Sequence, residues 1–315
     1  MMIGSPNQDV FAETLLALAQ KDRDILVVTS DSRGSAKLTK FGDLLPDQIV
    51  EVGIAEQNVI GIAAGLASAG KTVFAVSPAC FLTARALEQI KNDVAYSDRP
   101  VKVVGISAGL SYGTLGTTHH SLHDYAALRA IHNIDIVAPA DNFETREAVK
   151  ASLNYPRPLY MRFGKRSMPH VHPAKAKFEI GKALMIREGS DVTFVATGET
   201  VAHAAQAAEV LERDGLSCGV ISMHTLKPFD SEALLRAAAG TRALITVEEH
   251  SVSGGLGERC ASILMEQNVY LPFKIVAIPD EHTVTGNQME IFVHYGISPD
   301  GLAQTARRLL QFQLT

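Results

Sequence analysis

The sequence predicts an α/β protein of two doubly wound domains in series, and three observations carry that reading. Short continuous apolar runs recur between longer stretches of helical period, the pattern of parallel strands buried on both faces and joined by crossover helices. The alternation breaks between Gly164 and Ile180, where two prolines and several cations replace any apolar period, and then restarts. A length of 315 residues is also about twice that of a common domain.

In chain order, Val10, Leu15, Leu16, Leu18 and Ala19 fall at mostly helical spacing, and ILVVT, residues 25–29, follows as a strand. A helix of small residues at 56–69, a strand at 72–76, a helix at 82–95 and a strand at 101–106 continue the alternation. A strand at 135–138, a helix at 143–153 with Asp141 as its N-cap, and a strand at 159–163 close the first unit. The break places the domain boundary near residue 175, giving domains 1–174 and 175–315. The second unit reads as strands at 192–196, 218–222, 243–247 and 274–277, with helices at 201–213, 231–239 and 253–266 and a carboxy-terminal helix.

Hydrophobic residues make up 46% and charged residues 20% of the chain, as in ordinary folded proteins rather than disordered ones. A net charge of -5 supplies no basic field for a phosphate backbone, so nucleic acid is not an expected partner. Cys80, Cys218 and Cys260 are too widely spaced for a CxxC metal site and too few for a disulfide framework, which fits a reducing cytoplasm. Asp9 and Glu13 occur where a signal peptide needs a basic start and an apolar run, and no apolar stretch reaches membrane-spanning length. Neither secretion nor membrane insertion is expected.

The most informative segment is EVGIAEQNVIGIAAGLASAG, residues 51–70. It joins a strand end to a helix too rich in Gly and Ala for ordinary amphipathic packing, as though another surface approached it closely. Glu56 stands at the mouth of that helix. One reading is a helix-start glutamate attracted by the dipole. The full string supports another, because GIAEQ followed by GIAAGLA resembles the pyrimidine-binding domain of transketolases and deoxyxylulose-phosphate synthases.

That resemblance implies thiamin diphosphate as cofactor, with Glu56 hydrogen-bonded to a ring nitrogen of its aminopyrimidine so that the exocyclic amine can take a proton from the thiazolium carbon. The cofactor carries the carbon chemistry and the protein tunes it. FLTARALEQIKNDVAYSDRPVKVVG, residues 81–105, is similar to the family's aromatic, Arg and EQI pattern. It makes Phe81 the candidate ring to stack on the pyrimidine, with Cys80 the other possible occupant of that position and a core phenylalanine the plain reading. Arg85 is either a residue shaping the site or half of a surface ion pair.

GLSYGTLGTTHHSLHDYAALRAI, residues 109–131, resembles the family loop whose histidine contacts donor oxygens and helps proton movement. His119 takes that place. His120 stands where the family has Gln, and Leu115 where transketolases carry an Asp that reads a sugar hydroxyl. His123 and Asp124 either line the channel or cap the next helix, the cap being the preferred reading. Arg162, in PLYMRFGK, matches an arginine that holds substrate phosphate in relatives, by a planar fork suited to oxyanions; an ion pair at the domain end is the alternative. TGETV, HTLKPFD and VEEHSVSGGLGE extend the likeness through the second domain, with His250 near the interface.

The GDG motif, which in the family holds Mg²⁺ or Ca²⁺ and through it the diphosphate, is absent here; Gly42-Asp43 is followed by Leu44. The resemblance therefore implies the carboxy-terminal subunit of a split transketolase. An amino-terminal subunit would bring GDG and the metal ligands to an α₂β₂ assembly, with the cofactor across the interface. The implied reaction moves a two-carbon ketol unit from a ketose, expected to be a phosphate, to an aldose. Alternative readings are the β subunit of a 2-oxo-acid dehydrogenase and a non-catalytic assembly subunit.

Overall fold

The computed structural model describes residues 2–173 and 175–311; the expected boundary at Ala174 lies outside the described residues. The first half runs β1 Ile3–Pro6, α1 Asn7–Ala19, β2 Ile25–Thr29, α2 Thr39–Leu44, β3 Ile49–Glu51, α3 Glu56–Ser68, β4 Thr72–Pro78, α4 Ala79–Arg85, α5 Leu87–Gln89 and a π-helical turn at Ile90–Tyr96. It continues with β5 Lys102–Ile106, α6 Asp124–Arg129, β6 Asp135–Val137, α7 Asn142–Leu153, β7 Leu159–Arg162 and β8 Ser167–Pro169. The second half comprises β9 Leu184–Arg187, β10 Val192–Ala196, α8 Thr200–Glu212, β11 Cys218–Ser222, β12 Thr225–Lys227 and α9 Ser231–Ala239. After these come β13 Ala243–Ser251, α10 Leu256–Glu266, β14 Phe273–Ile278, α11 Gln288–His294 and α12 Pro299–Gln311.

Two mainly parallel sheets, each with one antiparallel edge strand, β12 in the first and β9 in the second, follow from the buried apolar runs. The first is ordered β12-β6-β7-β5-β4-β2-β3 and the second β14-β13-β10-β11-β9. Every pairing among β2 to β7 is parallel, as is every pairing among β10, β11, β13 and β14. Central strands such as Val103–Val104 and Phe194–Val195 are buried on both faces, so they show no period of two. Helices cover both sheets, and one continuous apolar cluster reaches from Val73 and Val103 of the first sheet to Val195, Ile221 and Leu244 of the second.

Two features depart from simple domains in series. β12 belongs by sequence to the second half but pairs antiparallel with β6, joining the edge of the first sheet. The segment expected to be a linker contains β8, which pairs antiparallel with β1, and His172, whose Nδ1 and Nε2 each lie 2.9 Å from a carboxylate oxygen, of Asp141 and Glu144 respectively. Asp141 caps α7 as expected, its Oδ1 accepting from the amides of Phe143 and Glu144. Its second oxygen accepts from the amide of Val171. No helix among the described residues is long and apolar enough to cross a membrane.

Candidate active site

Strand β3 ends at Glu51, the chain turns through Gly53 at φ +72°, and α3 opens with Glu56. A positive φ is easily reached only by a residue without a Cβ. The turn folds Glu56 inward until 4% of it is exposed, and its Oε1 accepts from Arg85 Nη1 at 2.9 Å. Arg85 closes α4, and Phe81 stands four residues before it on the same helical face. The guanidinium carbon sits 4.3 Å from the centre of the Phe81 ring.

A chain of ring contacts leads onward. Phe81 meets His119 edge to face with centroids 5.3 Å apart, and His119 meets Tyr112 the same way at 5.3 Å. Lys165 Nζ lies 4.6 Å over the Tyr112 ring. The His119 Nδ1 is 2.9 Å from the Thr118 hydroxyl. On the other side of Glu56 opens a groove of about 790 Å³, lined by Ile54, Glu56, Asn58, Gly61, Arg85 and Gln89 among others. Ile54 at its rim is 74% exposed. Glu56, Phe81, Arg85 and His119, distant in sequence, thus form one continuous surface. Cys80 instead points into the core, and burial pushes its thiol up to about 11.

His120 and Arg162 are placed differently from what the resemblance implied. His120 turns inward, its Nε2 2.8 Å from the Gly113 carbonyl, and burial lowers its pKa; it braces the loop. Arg162 is 7% exposed and its fork is used within the chain. Nε donates to Asp124 Oδ2 at 2.8 Å, and Nη2 donates to the carbonyls of Ser121 and Glu249 at 3.2 and 2.8 Å. Its guanidinium also lies over Tyr125. This geometry fits the ion-pair reading of Arg162.

Asp124 is likewise no exposed cap. It is fully buried and also accepts from Tyr160 Oη at 2.8 Å. Burial would raise its pKa, but the Arg162 and His250 charges outweigh that and hold it low. His250 stacks on Tyr125 with centroids 4.9 Å apart, within the packing between the two halves. The glycine-rich stretch after it has a steric cause, since a Cβ on Gly255 would meet Glu248 Oε2 at 1.9 Å. That carboxylate accepts from the amides of Leu256 and Gly257 at the start of α10. Tyr112 and Lys165, which adjoin this surface, were not singled out from the sequence. The signals were present, an aromatic within the glycine-rich loop and a second cation three residues beyond Arg162.

An α/β pair of domains with an acid, an aromatic ring and a histidine brought onto one surface matches the class of fold that the sequence resemblance implies. Family comparisons agree: "Transketolase, pyrimidine binding domain" matches residues 6–170 and "Transketolase, C-terminal domain" residues 181–302. The chain belongs to the transketolase family and corresponds to the carboxy-terminal subunit of a split transketolase. It is 49% identical over 297 residues to a subunit of the apulose-4-phosphate transketolase of Phocaeicola vulgatus, covering 94% of this chain and 95% of that one. It is 35% identical over 304 residues to a 6-deoxy-6-sulfo-D-fructose transketolase subunit of a Clostridium species, covering 96% and 94%. A solved split-gene transketolase, described as an inactive β4 tetramer, superposes with a TM-score of 0.88 at 34% identity, over 98% of this chain and 99% of that one. A transketolase variant from Pichia stipitis shares the fold at 20% identity and a TM-score of 0.82, covering 99% of this chain and 47% of its own.

Proposed function

We propose that this chain supplies Glu56, the acid that activates the cofactor, to a transketolase whose diphosphate-binding half lies on a separate amino-terminal subunit. The observation that carries this reading is the contact series Glu56–Arg85–Phe81–His119 beside an open groove. A carboxyl withdrawn from water next to an aromatic ring fits an aminopyrimidine, which needs an acid at its ring nitrogen and a π-face to stack on. Thiamin diphosphate supplies the nucleophilic carbon when bound. Glu56 holds the proton at the ring nitrogen, Arg85 orients one carboxylate oxygen, and Phe81 packs the ring. His119, fixed between Phe81 and Tyr112, moves protons at the donor's oxygens.

Lys165, exposed and seated over Tyr112, replaces the buried Arg162 as the cation for the donor's charged end. Relatives named for apulose 4-phosphate and for 6-deoxy-6-sulfo-D-fructose favour a ketose with an anionic terminus. Leu115, 55% exposed at the loop tip, offers no polar group where the family carries Asp, which favours a donor differing at that hydroxyl. The acceptor is an aldose.

Helix α3 supports the partner assignment. A Cβ on Gly61 or Gly65 would meet nothing within 4 Å in this chain, yet each glycine weakens a helix by up to about 1 kcal/mol relative to Ala. Their bareness suits a second polypeptide packed closely against α3, with the cofactor between. Gly42 and Asp43 lie inside α2 and are followed by Leu44, so we assign the Mg²⁺ or Ca²⁺ ligands to the partner subunit, in an α₂β₂ assembly. Three free, buried cysteines suit a cytoplasmic setting.

The test is Glu56→Gln in the complex reconstituted with the amino-terminal subunit. Ketol transfer should fall about 100-fold or more, with the complex still assembling. Unchanged turnover would overturn the assignment.

A further inference from the structure

The loop between β5 and α6 carries both Tyr112 and His119, and its tip stands in water, with Thr114, Leu115, Thr117 and Thr118 exposed. Such a segment keeps one conformation only if its ends are fixed. Within the loop the ends meet each other, the Ser121 amide donating to the Gly109 carbonyl at 2.8 Å. The groups that fix them to the rest of the molecule come largely from the second half, from the VEEHS string that ends β13.

Glu249 reaches the first end. Its Oε1 accepts from the Leu110 amide at 2.7 Å and from Gln288 Nε2 of α11 at 2.6 Å. Gly109 runs flush against the same carboxyl group: its φ is +60°, and a Cβ there would meet the Glu249 carboxyl carbon at 2.3 Å. Further along the loop, a Cβ on Gly113 would meet the Gly286 carbonyl oxygen, just before α11, at 3.1 Å. The other end is tied to the main chain of β13. Arg162 Nη2 bridges the carbonyls of Ser121 and Glu249, and the Ser251 amide donates to the Leu122 carbonyl at 3.0 Å.

In an open parallel sheet, the crevice at the carboxyl ends of the strands where their order reverses is the usual ligand position. In the second sheet that reversal falls between β10 and β13, and the first half is seated there. The Gly198 amide donates to the Ala138 carbonyl at 3.1 Å, and Glu249 holds Leu110. A buried carboxyl group is costly unless it is hydrogen-bonded, and Glu249 is 4% exposed. An apolar side chain fills space equally well, whereas a carboxylate also fixes the amide it accepts from. We propose that Glu249 is a positioning residue for ketol transfer, holding Leu110, and through it Tyr112 and His119, where His119 meets the donor. This role rests on the reading of His119 given above. The second half thereby shapes the active site without touching substrate.

The experiment uses the complex reconstituted with the amino-terminal subunit. Glu249→Ala removes the Leu110 anchor and leaves the main-chain ties at Ser121 and Leu122. It should lower kcat for ketol transfer by about 10- to 100-fold, while thiamin-diphosphate affinity, which belongs to the Glu56 surface, changes by less than about twofold. Glu249→Gln, which still accepts at that oxygen, should recover most of the loss. On a His119→Ala background the loss from Glu249→Ala should vanish, because groups that act as one unit are not additive. In the chain by itself, hydrogen exchange at the Leu110 amide should quicken by about tenfold or more in Glu249→Ala. Gln288→Met, a milder cut to the same anchor, should show a smaller loss of the same kind and carries the comparison if Glu249→Ala does not fold. An unchanged kcat, a loss that adds fully to that of His119→Ala, or a loss of cofactor affinity in place of kcat overturns the positioning role. No transfer by the wild-type complex overturns the ketol-transfer reading and this role with it, so the wild-type assay tells the two failures apart.

Discussion

Arg162 and Lys165 stand three residues apart at the end of one strand, and burial divides their work. Arg162 neutralises Asp124 deep between the halves, where an unpaired carboxylate is costly, so Arg162→Met should destabilise the chain by about 3 kcal/mol or more and lower its thermal midpoint. Lys165 keeps its charge in water, so Lys165→Ala should leave the melt unchanged and raise KM for a phosphorylated donor about tenfold. If Lys165→Ala unfolds the chain while Arg162→Met changes only KM, the division is reversed. Of the residues singled out from sequence, Glu56, Phe81, Arg85 and His119 meet in space. They lie in strings whose backbone pattern (strand end, tight turn, helix start) already implies where the side chain points. The burial of Arg162 and His120 was not legible, because a one-dimensional string does not say whether a cation or an imidazole is consumed by its own fold.

Among elements, the segment between the halves behaves unlike a linker. Strand β8 pairs with β1, and His172 is held between Asp141, the cap of α7, and Glu144, whose Oε1 also accepts from Ser222 of β11. Burial pulls the His172 imidazole down, but its contacts with the two carboxylates outweigh that and raise it to about 9. A raised folded value stabilises the protein fully below the unfolded value near 6.5, and the gain is lost as pH rises through about 9. A shift of that size is worth on the order of 3 kcal/mol. The chain should therefore lose thermal stability between pH 6.5 and 9, and His172→Gln should flatten that decline while lowering the midpoint at the acid end of the range. Parallel curves for the two proteins would remove His172 as the cause. The prolines and cations of this segment mark the end of apolar periodicity correctly. They carry no sign of pairing with β1, because a short edge ribbon depends on a partner far away along the chain.

For the whole molecule, the groove beside Glu56 and the bare glycines of α3 describe half of a site. The chain alone should show no ketol transfer and should gain it when mixed with its amino-terminal partner, read by turnover and by light scattering. Gly61→Ala should raise the thermal midpoint of the isolated chain, since the added methyl meets open space and favours helix by up to about 1 kcal/mol, yet weaken assembly with the partner. A variant that assembles normally would mean that α3 does not face the other subunit. The sequence by itself determined the α/β class, the positions of the buried strands, the glutamate at the helix mouth and the family, because each is written in local periodicity or in a contiguous string. Only the tertiary structure decided that β12 crosses to the other sheet, that Arg162 and Asp124 neutralise one another in the core, and that Lys165 rather than Arg162 is the accessible cation. Those outcomes depend on which side chains are taken out of water together, and burial and pairing are properties of the folded arrangement, not of neighbours along the chain.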